Sequence, residues 1–256
     1  MTKRRYREDR YINFPIQLLK GFLKGVQGSR SDKKYLHVLQ SAAYFAAYKQ
    51  ASKMELGDYG ERMDSAVTYL GVDGDLGGEE AYLKGRRISD YVDQMSFGKR
   101  PAMTGMKVSV LQRYKYEHVS ERQVVCLLGY LALKSIIGNK AYSKTTNQFW
   151  LSRMAGEIKA IEADILSDIA PEVSEMNTRR KLERLRNDLI DGWGLSYYGK
   201  ATRGFYVSFS MPLEDLIFQV EKKRKATKEK ARKIRENEAI KKAKDRLNGF
   251  DCGRSS

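Results

Sequence analysis

Between residues 178 and 190, Leu182, Leu185 and Leu189 recur at i, i+3 and i+7. On a helix these positions share one face, and that face sets the direction of the remaining side chains. Arg180, Arg184 and Asn187 then point the opposite way, at i, i+4 and i+7. Their chemistry is specific. A guanidinium bonds the edge of guanine in a bidentate manner, and a carboxamide does the same with adenine. Arg179, Lys181 and Arg186 flank that face and suit phosphate oxygens, and Thr178 is counted with them at the helix start. The competing reading is an ordinary solvated face, which is what charge runs on helices usually are.

Other constellations are thinner. Lys200, Thr202 and Arg203 crowd a turn between two short β-like segments, where a cationic tip reaches a groove or a backbone. Tyr197, Tyr198 and Tyr206 beside it could stack on unpaired bases, although such rings more often pack a sheet. Asp73, Asp75, Glu79 and Glu80 form the one carboxylate cluster suited to Mg²⁺ or Ca²⁺, and it lacks the ligand spacing of an EF-hand. A nuclease built on that loop is the enzymatic alternative. His118 and Cys126 have no third group to complete a catalytic set, and they read as a surface histidine and a core cysteine. With two cysteines, Cys126 and Cys252, and two histidines, a disulfide scaffold and a multi-cysteine zinc module are excluded. No phosphate-binding glycine loop occurs. The expectation is a protein without catalytic residues, metal or cofactor.

The elements that must position these residues follow from periodicity and breakers. Pro15 holds Phe14 extended, and Leu18, Leu19, Phe22 and Leu23 then recur at helical spacing. Ser31 or Asp32 caps a helix over 33–54. Shorter helices fit 61–70 and 79–95, and a further one 102–117. From Ser120, paired with Gln123 in a capping box, a helix runs through Ile137. A short strand at 141–143 and a helix capped by Thr145 or Thr146 and closed by Gly156 come next. A helix over 157–169 and the arginine-bearing helix follow. The clearest β signal is the hairpin of Leu195–Tyr198 with Gly204–Phe209, in which Phe205, Val207 and Phe209 alternate with Tyr206 and Ser208. Pro212 opens a last helix.

The chain carries 48 Lys and Arg against 32 Asp and Glu, a net charge of +16 over 256 residues. Thirteen of the cations lie between Lys222 and Arg246, opposed there by Glu229, Glu236, Glu238 and Asp245. Lys3, Arg4, Arg5, Arg7 and Arg10 add a basic N-terminal arm. Such runs gain affinity for polyanions by releasing condensed counterions. Ile234, Ala239 and Ile240 are too few to insert into a membrane, and no apolar run is long enough to cross one. No apolar signal core follows the N-terminal cations, so the expected location is the cytoplasm, at the nucleoid.

The order from Ser120 to Phe209, helix, strand, helix, inserted helix, helix and hairpin, resembles a winged helix, the helix-turn-helix variant with a β-hairpin wing. In that resemblance Thr145–Ala155 is the second helix, Asn177–Ile190 the recognition helix and Gly194–Phe209 the wing. An insertion of about 20 residues departs from the compact form. The runs Arg203-Gly204-Phe205-Tyr206-Val207-Ser208-Phe209 and Phe14-Pro15-Ile16-Gln17-Leu18-Leu19 are similar to DNA-binding proteins of bacterial mobile elements, especially in Bacteroidetes. The resemblance implies replication initiation or transcriptional control of a plasmid, phage or transposon, with double-stranded DNA as partner. An RNA or ribonucleoprotein binder is the alternative partner class, and a homodimer is compatible with the sequence. The expected architecture is mainly α. It comprises a basic arm at 1–11, a helical module at 12–118, a winged-helix module at 119–221, and a basic helical or disordered tail at 222–256.

Overall fold

The computed structural model describes residues 10–55, 57–72, 74–98, 100–199 and 203–251, with side chains through 245. The chain divides into two compact units, Met1–Ser210 and Met211–Ser256. It is mainly helical, with a two-stranded and a three-stranded antiparallel sheet. Most of the basic arm, Lys3, Arg4, Arg5 and Arg7 included, lies outside the described residues.

The first unit opens with β1 (Tyr11–Pro15), whose Ile12 and Phe14 are buried while Tyr11 and Asn13 are exposed. A 3-10 turn, Ile16–Leu19, follows it. Helix α1 (Lys34–Ala51) buries Ala42, Ala43, Ala46 and Ala47. Those small side chains let α2 (Tyr59–Leu70) and α3 (Gly78–Met95) pack closely on it. Neither Ser31 nor Asp32 caps α1. Its N-cap is Lys33, with no side-chain hydrogen bond.

The helix expected over 102–117 is a strand and a shorter helix, β2 (Met103–Lys107) and α4 (Val108–Tyr116). β2 pairs with β1, Gly105 standing opposite Asn13. A Cβ at Gly105 would collide with the Ile12 carbonyl, so the pairing depends on a bare backbone there. The Tyr11 hydroxyl donates to the Gly105 carbonyl at 2.6 Å, and the buried Thr104 hydroxyl donates to the Leu131 carbonyl at 2.5 Å. Met-Thr-Gly-Met-Lys has little intrinsic strand character, and partners about 90 residues distant in sequence impose the conformation.

Helix α5 (Glu121–Ile137) runs through the centre of the unit. Ser120 and Gln123 form the reciprocal capping box at its start, which stabilises the helix by about 1 kcal/mol. Val124, Leu127, Leu128, Leu131 and Leu133 are buried along it. One continuous apolar core joins them to Phe14, Leu39 and Met63 on one side and to Trp150, Leu185 and Val207 on the other. Segments before and after residue 118 thus share a core. The remaining elements are β3 (Ser143–Thr145), α6 (Asn147–Met154), α7 (Ala163–Ile169), α8 (Pro171–Ser174), α9 (Arg179–Trp193), β4 (Ser196–Tyr198) and β5 (Phe205–Ser208).

The second unit is dominated by a single helix, α10 (Leu213–Asp251). Every residue from 225 to 245 in it is exposed. Among the described residues no helix is long and apolar enough to cross a membrane.

Candidate nucleic-acid interface

Helix α9 is held by three things. Its leucine stripe is buried, with Leu182, Leu185 and Leu189 at 2%, 3% and 0% exposure. Its start is capped by the Thr178 hydroxyl, which accepts from the Lys181 N–H at 3.3 Å. Its end is closed by Gly194 in the left-handed conformation. On the solvent side Arg179, Arg180, Lys181, Arg184 and Asn187 are exposed. Among the described residues none of those four cations enters an ion pair within hydrogen-bonding reach of a carboxylate.

The charge layout of α9 is the reverse of what a helix prefers. The helix dipole favours acids in the first turn and bases in the last. α2 and α3 follow the first half of this with Glu61 and with Glu79 and Glu80, and α5 follows both halves with Glu121 and Lys134. α9 has no acid in its first turn and no base in its last. Arg179, Arg180 and Lys181 sit at its positive end, and Asp188 and Asp191 lie toward its negative end. Asp188 acts electrostatically on Arg184 one turn away, whereas the first-turn cations Arg179, Arg180 and Lys181 break a local rule, which marks a surface shaped for something other than stability.

Asp188 serves the packing. Its carboxylate accepts two hydrogen bonds from the Arg122 guanidinium, one from Nε at 2.6 Å, which ties α5 to α9. That bonding holds its carboxyl below the usual Asp range. The Cys126 thiol donates to the same carboxylate at 3.7 Å, and burial pushes it up to about 12. Cys126 is buried and His118 exposed.

Arg186 is the site residue that sequence reasoning misplaced. Expected at phosphates, it is half-buried, with its guanidinium 4.1 Å from the Tyr197 ring centre and 5.5 Å from that of Phe205. It bonds α9 to the hairpin by a cation–π contact. Its spacing carried the signal: position 186 is i+4 from Leu182 and i−3 from Leu189, on the margin of the buried stripe.

The hairpin belongs to a three-stranded sheet of order β3-β5-β4, antiparallel throughout. The strand expected at 141–143 lies two residues later, at Ser143–Thr145. Gly204 makes this closure feasible: its φ is +94°, and a Cβ there would collide with the Thr145 carbonyl. The inner face packs on the core through Phe205, against Trp150 at 6.1 Å and Tyr197 at 5.1 Å. Trp150, fully buried, donates from Nε1 to the Gly129 carbonyl at 3.1 Å, locking α6 onto α5. Arg203 is exposed at the end of the hairpin, while Lys200 and Thr202 lie outside the described residues.

The insertion between α6 and α9 differs from the expected helix over 157–169. Residues 157–162 are not helical, and α7 begins at Ala163. The reason lies on α6. The Ser152 hydroxyl accepts from the Ile161 N–H at 3.0 Å, and Gln148 Nε2 donates to the Ile161 carbonyl at 2.9 Å. Side chains of α6 thus take the backbone groups that a helix would use internally. Pro171 opens α8, and Leu166, Val173 and Met176 are buried.

In the acidic loop, Asp75 sits in a 3-10 turn, Gly74–Leu76, and Asp73 lies outside the described residues. Glu80 pairs with Lys84 at 2.7 Å. Among the described residues no group of three His, Cys, Asp or Glu is placed to hold a metal ion. No known protein family, curated protein or solved structure matches the chain.

Proposed function

We propose that the chain is a winged-helix protein that binds double-stranded DNA with sequence preference. In this reading α9 is the recognition helix and the β4–β5 hairpin the wing. Binding, without catalysis or cofactor, is its role, and the setting is replication initiation or transcriptional control of a mobile element. Several observations support it. A strand before α6 pairs with the second hairpin strand, as the order β3-β5-β4 requires. α9 is docked by one face and offers Arg180, Arg184 and Asn187 on the other. The observation that carries the proposal is the cluster of Arg179, Arg180, Lys181 and Arg184 in the dipole-disfavoured half of α9, exposed and, among the described residues, outside every close ion pair. Phosphates beside that end would supply the missing negative charge, and base edges would engage the side chains beyond it.

The test is selection from a random duplex pool, followed by sequencing of the bound DNA. One enriched motif is expected, and a palindromic motif would indicate a dimer. Recovery of sequences indistinguishable from the input would defeat the proposal.

A further inference from the structure

Tyr142, Tyr198 and Tyr206, on the outer side of the β3-β5-β4 sheet, lie outside the apolar core. Tyr206 lies at its centre, on the middle strand. In register with Tyr206 stand Lys144 on one side and Tyr198 on the other. Residues directly opposite in antiparallel strands point to the same face, so these three form a row. The Tyr198 and Tyr206 ring centres are 6.5 Å apart, with planes 29° from parallel, and Tyr142 meets Tyr206 edge-on at 6.3 Å. All three rings are partly exposed, and Lys144 is exposed. The segment carrying Tyr142 is held in place by the Ser208 hydroxyl, which donates to the Ala141 carbonyl at 2.7 Å.

Three partly exposed rings gathered within about 6.5 Å of Tyr206, with a cation in the same row and no carboxylate in any of the three strands, match what an unpaired nucleotide needs. Each base stacks on a ring, and the phosphate beside it meets the ammonium. A duplex cannot use such a face, because its bases are already stacked and only edges and backbone are available. We infer that the Tyr142–Tyr198–Tyr206 face binds single-stranded DNA by base stacking. This is separate from the duplex contact made by α9. The inference goes beyond the duplex reading and does not depend on it.

The experiment uses the full chain and three labelled probes: a short oligothymidylate, an abasic strand of the same length, and a random duplex. Elevated salt suppresses the counterion contribution of the basic segments. The wild-type chain should bind oligothymidylate roughly tenfold or more tighter than the abasic strand, in keeping with the usual strength of base–aromatic stacking. Changing Tyr198→Leu with Tyr206→Leu should bring oligothymidylate down to the abasic level, a larger loss than the same change causes on random duplex. Tyr198→Phe with Tyr206→Phe keeps the rings and should keep the preference. Oligothymidylate no tighter than the abasic strand would overturn the inference. So would a leucine variant that melts earlier yet binds oligothymidylate as before, the mark of tyrosines that only stabilise the sheet. Oligouridylate bound much tighter than oligothymidylate would make RNA the ligand and overturn it as well. If the leucine variant fails to fold, photocrosslinking of wild-type protein to a 5-iododeoxyuridine strand decides. Adducts at Tyr142, Tyr198 or Tyr206 support the inference, and adducts confined to other segments reject it. A chain that shows the stacking preference but selects no duplex motif would refute the proposed function alone.

Discussion

Helices α9 and α10, 15 and 39 residues long, are both rich in arginine and lysine, yet they hold their charges in opposite ways. α9 is clamped by a buried leucine stripe, by the Thr178 cap and by the bonding of Asp188 to Arg122. Each of its exposed cations therefore has a fixed direction. From residue 225 to 245, α10 is exposed all round. Its cations are spread about the axis, and its internal support includes i,i+4 pairs such as Arg232 with Glu236 at 3.3 Å and Lys233 with Glu229 at 3.7 Å. Such exposed pairs are worth only a few tenths of a kcal/mol each. A helix that is polar on every side has no packing reason to exist alone. The contrast teaches that direction comes from burial. A helix with one buried face can distinguish one base from another, whereas a stretch exposed all round offers only charge density.

The largest expected effect breaks the docked helix. Leu185→Ala removes a fully enclosed side chain between α9 and α5, and should lower stability by about 2–5 kcal/mol. In denaturant titration this appears as a lower midpoint. In binding, preference for the selected site should fall further than affinity for random DNA. Equal losses on both would mean that packing of α9 does not set its direction.

Removal of residues 222–256 addresses the other helix. If roughly six phosphates are neutralised by the whole chain, the log–log salt slope is about −5. The truncated chain should show a flatter slope and a loss on the order of a hundredfold near physiological salt, alike for every sequence. An unchanged slope would remove α10 from the interface.

Arg180→Ala and Arg184→Ala sharpen the comparison residue by residue. Each should cost about 1–3 kcal/mol on the selected site and much less on random duplex. A base-edge contact is lost only where the correct base stands. Uniform losses would reassign both arginines to phosphate contacts and make α9 resemble α10.

The smallest effect concerns the clamp. Asp188 has a lowered carboxyl in the folded state, so its contribution is fully present above the usual Asp range and is lost as pH falls through the lowered value. The wild-type chain should therefore lose stability in acid more steeply than Asp188→Asn. Thermal melts between about pH 2 and pH 6 span that window on both sides of the ordinary Asp value. Parallel melting curves for the two proteins would show that the pair with Arg122 does not hold α9.

What could be read from the chain alone was the local part. The Ser120–Gln123 capping box, the α9 leucine stripe and a threonine cap of α6, which the structure assigns to Thr146 of the two candidates, are each written within a few residues, and the folded chain has them; the alternation expected over 205–209 holds through Val207 and ends at Ser208, which is fully buried. The mainly helical character followed from the same periodicities. Tertiary structure decided what depends on distant partners. Residues 103–107 are a strand because β1 lies beside them and Gly105 lets it approach. Residues 157–162 are not helical, and in that segment Ser152 and Gln148 take both backbone groups of Ile161. Arg186 faces inward because Tyr197 and Phe205 offer it two rings. Tyr198 and Tyr206 are neighbours across a hairpin legible in the sequence, whereas Tyr142 joins them only because β3 pairs with β5. Short-range hydrogen bonding and side-chain period are properties of a segment, whereas pairing and enclosure are properties of the whole fold.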